Sequence, residues 1–152
     1  MKILLAIDGS EYSDAAVTEL ARRPWPAGSE IKALSVFEPP PLTPEAWSTP
    51  PEYFEELDRS ARSKAKAVVE AAMETLKKAL GECVAINGEY VQGAPKSVIL
   101  DEAETWGADL IVVGSHGYRA WERFLLGSVS QAVVAHAKCS VEVVRSRQAA
   151  AK

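Results

Sequence analysis

Five short apolar runs, separated by longer amphipathic stretches, restrict this chain to a small set of folds. Ile3 to Ile7 is continuously apolar, the pattern of a strand covered on both faces. Further runs lie at about Ile31 to Phe37, Val84 to Val91, Leu110 to Val113 and Ser140 to Val144. The segments between them carry helical spacing, so the order reads β-α-β-loop-α-β-α-β-α-β. Strands that alternate with helices in this way pair in parallel, with the crossover helices packed on both faces. The predicted fold class is α/β, a three-layer sandwich around a five-stranded parallel sheet.

The helical segments carry their own start and stop signals. Ser10 is placed to cap a first helix with Glu11 and Asp14 near its positive end. That helix is expected to bury Ala15, Ala16, Val17 and Leu20 and to stop at Pro24-Trp25-Pro26. A long helix is predicted from Pro51 or Tyr53 to Leu80, closed by Gly81, with a core stripe of Leu57, Ala61, Ala65, Val68, Ala72, Leu76 and Ala79. Pro95 opens a third helix with Val98, Ile99, Ala103 and Trp106 inward and Gly107 at its end. The fourth runs from Ser128 to Ala137 with Val129, Ala132 and Val133 inward. Glu38 to Pro51 holds six of the nine prolines, which excludes regular helix or central strand. It reads as an ordered or semi-rigid loop and a candidate lid, with Trp47 a candidate cover for a base. Residues 1–146 read as a single domain and 147–152 as a frayed tail.

A chain of 152 residues, 47% apolar and 25% charged, is long enough to bury a sizeable core. Its net charge of −4 argues against a nucleic-acid groove or a polybasic membrane surface. The apolar run at the start is cut off by Asp8 and Gly9, too short for a signal peptide or a membrane span, so a cytoplasmic protein is expected. Cys83 and Cys139 each open an apolar run and belong to no CxxC or His/Cys cluster. They are expected to be buried thiols rather than a disulfide or metal ligands.

Function concentrates where the fourth apolar run ends. Ile111-Val112-Val113 leads into Gly114-Ser115-His116-Gly117, and after nine residues comes Gly127-Ser128-Val129-Ser130. A chain that leaves a strand on glycines presents bare N–H groups above the strand end. A helix that opens on Gly-Ser-Val-Ser adds more N–H groups, two hydroxyls and the positive end of its dipole. Together these form an anion cradle suited to a nucleotide phosphate. Taken singly, each glycine is equally well a simple turn.

If the first strand is central, the strand order reverses between strands one and four, where open α/β sheets bind ligands. Asp8 and Gly114 then face one crevice. The Asp8 carboxylate can accept hydrogen bonds from ribose hydroxyls or hold a divalent metal that bridges to phosphate. The alternative is that it only caps the first helix. Gly9 and Ser10 would lend further N–H groups. Arg119 is a candidate counter-charge for phosphate, whereas Arg123 reads as a solvated loop residue. His116 is a candidate phosphate contact without the acidic neighbour of a general base. No GxxxxGK[ST] loop, GxGxxG fingerprint, Gly-x-Ser-x-Gly elbow or HExxH is present, so the site looks built to hold a nucleotide rather than to break it.

The spacing Gly114-x2-Gly117-x9-Gly127-Ser128 resembles the ATP-binding signature of the universal stress protein family. The likeness extends over nearly the whole chain, from Ile3-Leu4-Leu5-Ala6-Ile7-Asp8-Gly9-Ser10 through Gly107 to Gly117 and on to Val141-Glu142-Val143-Val144-Arg145. It implies strand order 3-2-1-4-5. It implies that Asp8 lies near ribose, adenine or a metal, and that the Val36 backbone meets adenine. Gly114 and Gly117, with Ser115 and His116 between them, would lie against ribose and phosphates. Gly127, Ser128, Val129 and Ser130 would hold the phosphate tail, and ATP would come with Mg2+ or Mn2+. The resemblance also implies a homodimer through antiparallel fifth strands, where Val141, Val143 and Val144 make the edge apolar. The proline-rich loop departs from the family pattern and leaves the adenine-side wall open.

Three functions follow. The first is a dimeric, ATP-responsive regulator of stress response that acts on further protein partners, with residues 118–126 as the element that orders on phosphate. The second is a slow Mg2+-dependent ATPase in the same pocket. The third is a nucleotide-free dimeric interaction module. On the first reading, Gly114→Ala and Gly127→Val are expected to abolish nucleotide binding while the fold survives.

Overall fold

In the computed structural model, which describes residues 1–41, 48–117 and 126–146, five strands pair in parallel in the order β3-β2-β1-β4-β5. They are β1 (Lys2–Ala6), β2 (Glu30–Phe37), β3 (Ala85–Gln92), β4 (Leu110–Gly114) and β5 (Ser140–Val144). The helices are α1 (Glu11–Arg22), α2 (Pro51–Leu80), α3 (Pro95–Trp106) and α4 (Ser128–His136). The parallel sheet and its order match the expectation.

Alternation along the strands builds two cores. Ile3, Leu5 and Ile7 join Ile31, Ala33 and Val112 against α1 and α2. Leu4 and Ala6 join Leu34, Ile111 and Val113 against α3 and α4. Because β1 is buried on both faces, its apolar run is continuous rather than alternating. The positions that end these central strands, after Ala6 and at Gly114, therefore lie side by side at one edge of the sheet. Gly107 ends α3 in the left-handed region (φ 71°, ψ 48°) and its N–H returns to Ala103 O and Glu104 O.

Two expectations are corrected. The α2 stripe begins only at Ala65 and continues through Val69, Ala72 and Leu76, whereas Leu57 is 38% exposed and Ala79 is exposed. A 30-residue helix spans about 45 Å at ~1.5 Å per residue, and an eight-residue strand only about 26 Å at ~3.3 Å per residue. The first turns of α2 therefore overhang the sheet, and helical periodicity continues past the surface that rewards it. Cys83 is exposed, because it lies in a short 3-10 turn (Gly81–Cys83) before β3 begins; Cys139 is half-buried, and both thiols are free.

Candidate nucleotide site

The chain leaves β1 through Ile7 and turns into α1 at Asp8, Gly9 and Ser10. Asp8 Oδ1 accepts from the Ser10 N–H at 2.9 Å, and Ser10 Oγ accepts from the Ser13 N–H at 3.3 Å. Ser13 Oγ accepts from the Gly9 N–H and donates to Ser10 O, both at 3.0 Å. The amides of Gly9 and Ser10 are thus committed inside the turn, and neither residue lines the cavity described below. This overturns the expectation that they lend donors to a ligand. It leaves Asp8 Oδ2 facing the second turn: a Cβ on Gly117 would lie 2.8 Å from it.

That second turn is tied to its surroundings by main chain. The Ser115 N–H donates to Val144 O at 2.8 Å, and Ser115 O accepts from the Gly127 N–H at 2.8 Å. Ser130 Oγ donates to Gly114 O at 2.6 Å. The α4 start is therefore pinned to the end of β4. A Cβ on Gly127 would approach His116 Cα to 3.1 Å, so any side chain here requires the His116 backbone to give by a few tenths of an ångström. Gly114 has a different reason to lack a side chain: its Cβ would lie 2.7 Å from the Tyr12 carbonyl carbon in α1. The bare Gly114 makes room for a helix on the far face of the sheet.

Gly127 caps α4 without a side chain, so the capping position itself offers no side-chain acceptor to the first amides of that helix, and none is made by the other described residues. The Gly127 N–H is itself spent on Ser115. The donors left at the positive end of α4 are the N–H groups of Ser128, Val129 and Ser130. They border a cavity of about 750 Å³ that opens at the ends of β1, β2 and β4, within the range of ligand pockets. The end at β2 and α3 is mostly apolar, with Leu34, Val36, Pro95 and Ile99 beside the charged Glu38 and Lys96; the other carries Gly117, Gly127, Ser128 and Ser130, with Asp8 on the wall. His116 also lines it. Its Nδ1 lies 3.1 Å from Ser115 Oγ, its ring packs 5.0 Å from that of Tyr12, and its Nε2 is buried with no hydrogen-bond partner among the described residues. Ser115 is buried and lies outside the cavity wall.

The structure thus brings Asp8, Val36, Gly114, His116, Gly117 and Gly127 to Ser130 together at one cavity, and leaves Gly9, Ser10 and Ser115 behind it. Arg119, Arg123, Trp47, the centre of the proline loop at 42–47 and the tail 147–152 lie outside the described residues. Two charged residues missing from the sequence reading line the cavity, Glu38 after β2 and Lys96 in the first turn of α3. Pro95 at the start of α3 signalled that helix entrance; that the entrance opens beside Val36 follows only from the sheet order. No cluster of three His, Cys, Asp or Glu is present among the described residues. A divalent ion here would rest on Asp8 together with ligand oxygens, a donor set that suits magnesium.

A doubly wound α/β protein with a cavity at its switch point, bordered by a glycine turn and a helix start, is the class that fold and site define. The model of the universal stress protein family matches residues 1–145, and the chain belongs to that family. A universal stress protein of Thermus aquaticus is 34% identical over 143 residues, which cover 94% of this chain and 97% of that protein. The structure of UspA from Lactobacillus plantarum superposes with a TM-score of 0.79 at 27% identity, covering 95% of this chain and 97% of the other. A universal stress protein solved in complex with cAMP superposes with a TM-score of 0.55 at 26% identity, covering 95% and 96%. Among the described residues no helix is long and apolar enough to cross a membrane.

Proposed function

We propose that the cavity binds ATP with Mg2+ or Mn2+, and that the protein is a homodimeric, nucleotide-responsive regulator of stress response acting in the cytoplasm. The observation that carries this reading is the convergence of the uncapped amides of Ser128, Val129 and Ser130 with Gly117 and Asp8 on one cavity. Phosphates suit the α4 end, where amides and dipole favour negative charge. The base suits the apolar end, with the Val36 backbone beside it. Asp8 then stands between them, within the span of a ribose or of a metal bound to phosphate. A metal ion there supplies neutralisation between the carboxylate and the phosphates. The relative solved with cAMP supports a nucleotide as the ligand class.

The dimer forms through β5, the free edge of the sheet, where Val141 and Val143 are only half-buried on the α3–α4 face. Regulation requires that ATP favour one of two conformations; the segment 118–126 expected to respond lies, but for Leu126, outside the described residues. Native mass spectrometry of freshly purified protein tests ligand and assembly together: a dimer carrying the mass of ATP is expected, and a nucleotide-free monomer would contradict both parts. A slow ATPase is the second reading, favoured by Asp8 Oδ2 facing the glycine turn. Phosphate release well above about one per minute that disappears in Asp8→Ala would establish it, since Mg2+ would then be catalytic.

A further inference from the structure

We infer that Ser115 is a positioning residue: its hydroxyl donates to His116 Nδ1, keeps the ring proton on Nε2, and so makes His116 a hydrogen-bond donor to the nucleotide. This rests on the nucleotide reading of the cavity. Ser115 is 2% exposed and its main chain is held on both sides, by Val144 O and by the Gly127 N–H. Its hydroxyl therefore sits on a fixed frame, 3.1 Å from Nδ1. Two proton placements satisfy that distance. If the ring donates from Nδ1, the Ser115 hydroxyl proton has no other acceptor among the described residues, and Nε2 is left with a buried, unpaired lone pair. If the hydroxyl donates, both groups are used and Nε2 carries the proton. A neutral imidazole donates from one nitrogen and accepts at the other, so Ser115 decides what the far edge of the ring offers.

That edge is what makes the arrangement informative. Nε2 is out of reach of water and unpartnered, on a residue that lines the cavity. A buried donor without an acceptor is costly, and one that persists calls for a partner that arrives later. A phosphate or ribose oxygen settling on the Gly117–Gly127 turn would supply that acceptor once the wall covering Nε2 gives way to admit it. Tyr12 packs against the ring and limits how far it can turn away. The ligand selected at this point must present an acceptor, which an anionic oxygen does and an amino group does not.

The test uses the full chain labelled with 15N, with long-range 15N–1H spectra of His116 recorded free and with MgATP. In the free protein the proton is expected on Nε2. Ser115→Ala should leave a mixture of tautomers and Ser115→Thr should restore the Nε2–H form, with melting curves to confirm that both fold. Affinity for MgATP should fall about tenfold in Ser115→Ala and in His116→Asn, whose amide reaches only the δ position, and stay within about threefold in His116→Gln, whose amide reaches the ε position. A free protein with the proton on Nδ1, or equal affinities for His116→Gln and His116→Asn, would overturn the inference. A wild-type chain that binds no nucleotide would overturn the proposed function instead, and the tautomer of the free protein would still decide the role of Ser115.

Discussion

The missing methyl group means something different at each glycine of the cavity. At Gly114 it admits the backbone of Tyr12, so Gly114→Ala drives a Cβ into main chain that cannot rotate away. Overpacking of this kind costs about 1–3 kcal/mol, and a lowered melting temperature is expected before any effect on a ligand is read. The fold is still expected to survive that change, with reduced stability. Among the described residues, the added Cβ at Gly117 meets only the end of the Asp8 side chain, which can swing aside. Gly117→Ala should therefore melt close to wild type and lose nucleotide affinity, as measured by calorimetric titration. The glycine spacing was legible in sequence because backbone approach leaves a strong residue signature; which backbone approaches was not, because Tyr12 is about a hundred residues away along the chain. The cysteines make the same point. Burial pushes the Cys139 thiol up, whereas Cys83 is exposed. Iodoacetamide at mildly alkaline pH should alkylate Cys83 first, and equal rates would contradict the described burial. Since the raised folded-state value of Cys139 exceeds that of the unfolded chain, its contribution to stability is complete below about pH 8.5 and declines as pH rises beyond it.

At the scale of elements, α2 divides into a half that packs and a half that does not. Leu76 is fully buried between α2 and the sheet, and Leu76→Ala should cost about 2–5 kcal/mol in chemical denaturation. Leu57→Ala, in the overhanging turns, should change stability by less than about 0.5 kcal/mol. Periodicity predicts where a helix can bury a face, while the length of the strands beneath decides how much of it does. The edge strand β5 is tied back to α1 by a bidentate pair, Arg23 with Glu142, at 2.6 Å for both bonds, and Glu19 joins at 2.8 Å. Glu142 first and Glu19 second raise the Arg23 guanidinium above its ordinary range. The Arg23 side chain is 39% exposed, so solvent screens the pair. Glu142→Gln should cost no more than about 1 kcal/mol and lose that effect at high salt. The helix and strand types were readable from pattern; this lock was not, because Arg23 and Glu142 are distant in sequence and each looks like any surface charge.

At the scale of the molecule, the strand order makes the site. With β1 central, the chain turns one way to β2 and β3 and the other way to β4 and β5. That reversal brings Asp8, the glycine turn and the α4 start to one opening, and places α3 with Lys96 across it. The glycine end of the cavity was legible, since strand, glycines and helix start are contiguous there. The opposite end was not, because Glu38 and Lys96 come from separate connections that meet only in the folded sheet. The claim on which the account rests is that open amides at the start of α4 bind a nucleotide phosphate. Titrating 15N-labelled protein with MgATP tests it most directly. The account predicts saturable shifts at the amides of Gly117, Ser128, Val129 and Ser130, absent in Gly127→Val. Amides at α4 that stay in place while ATP is present in excess, or shifts confined to other surfaces, would contradict it.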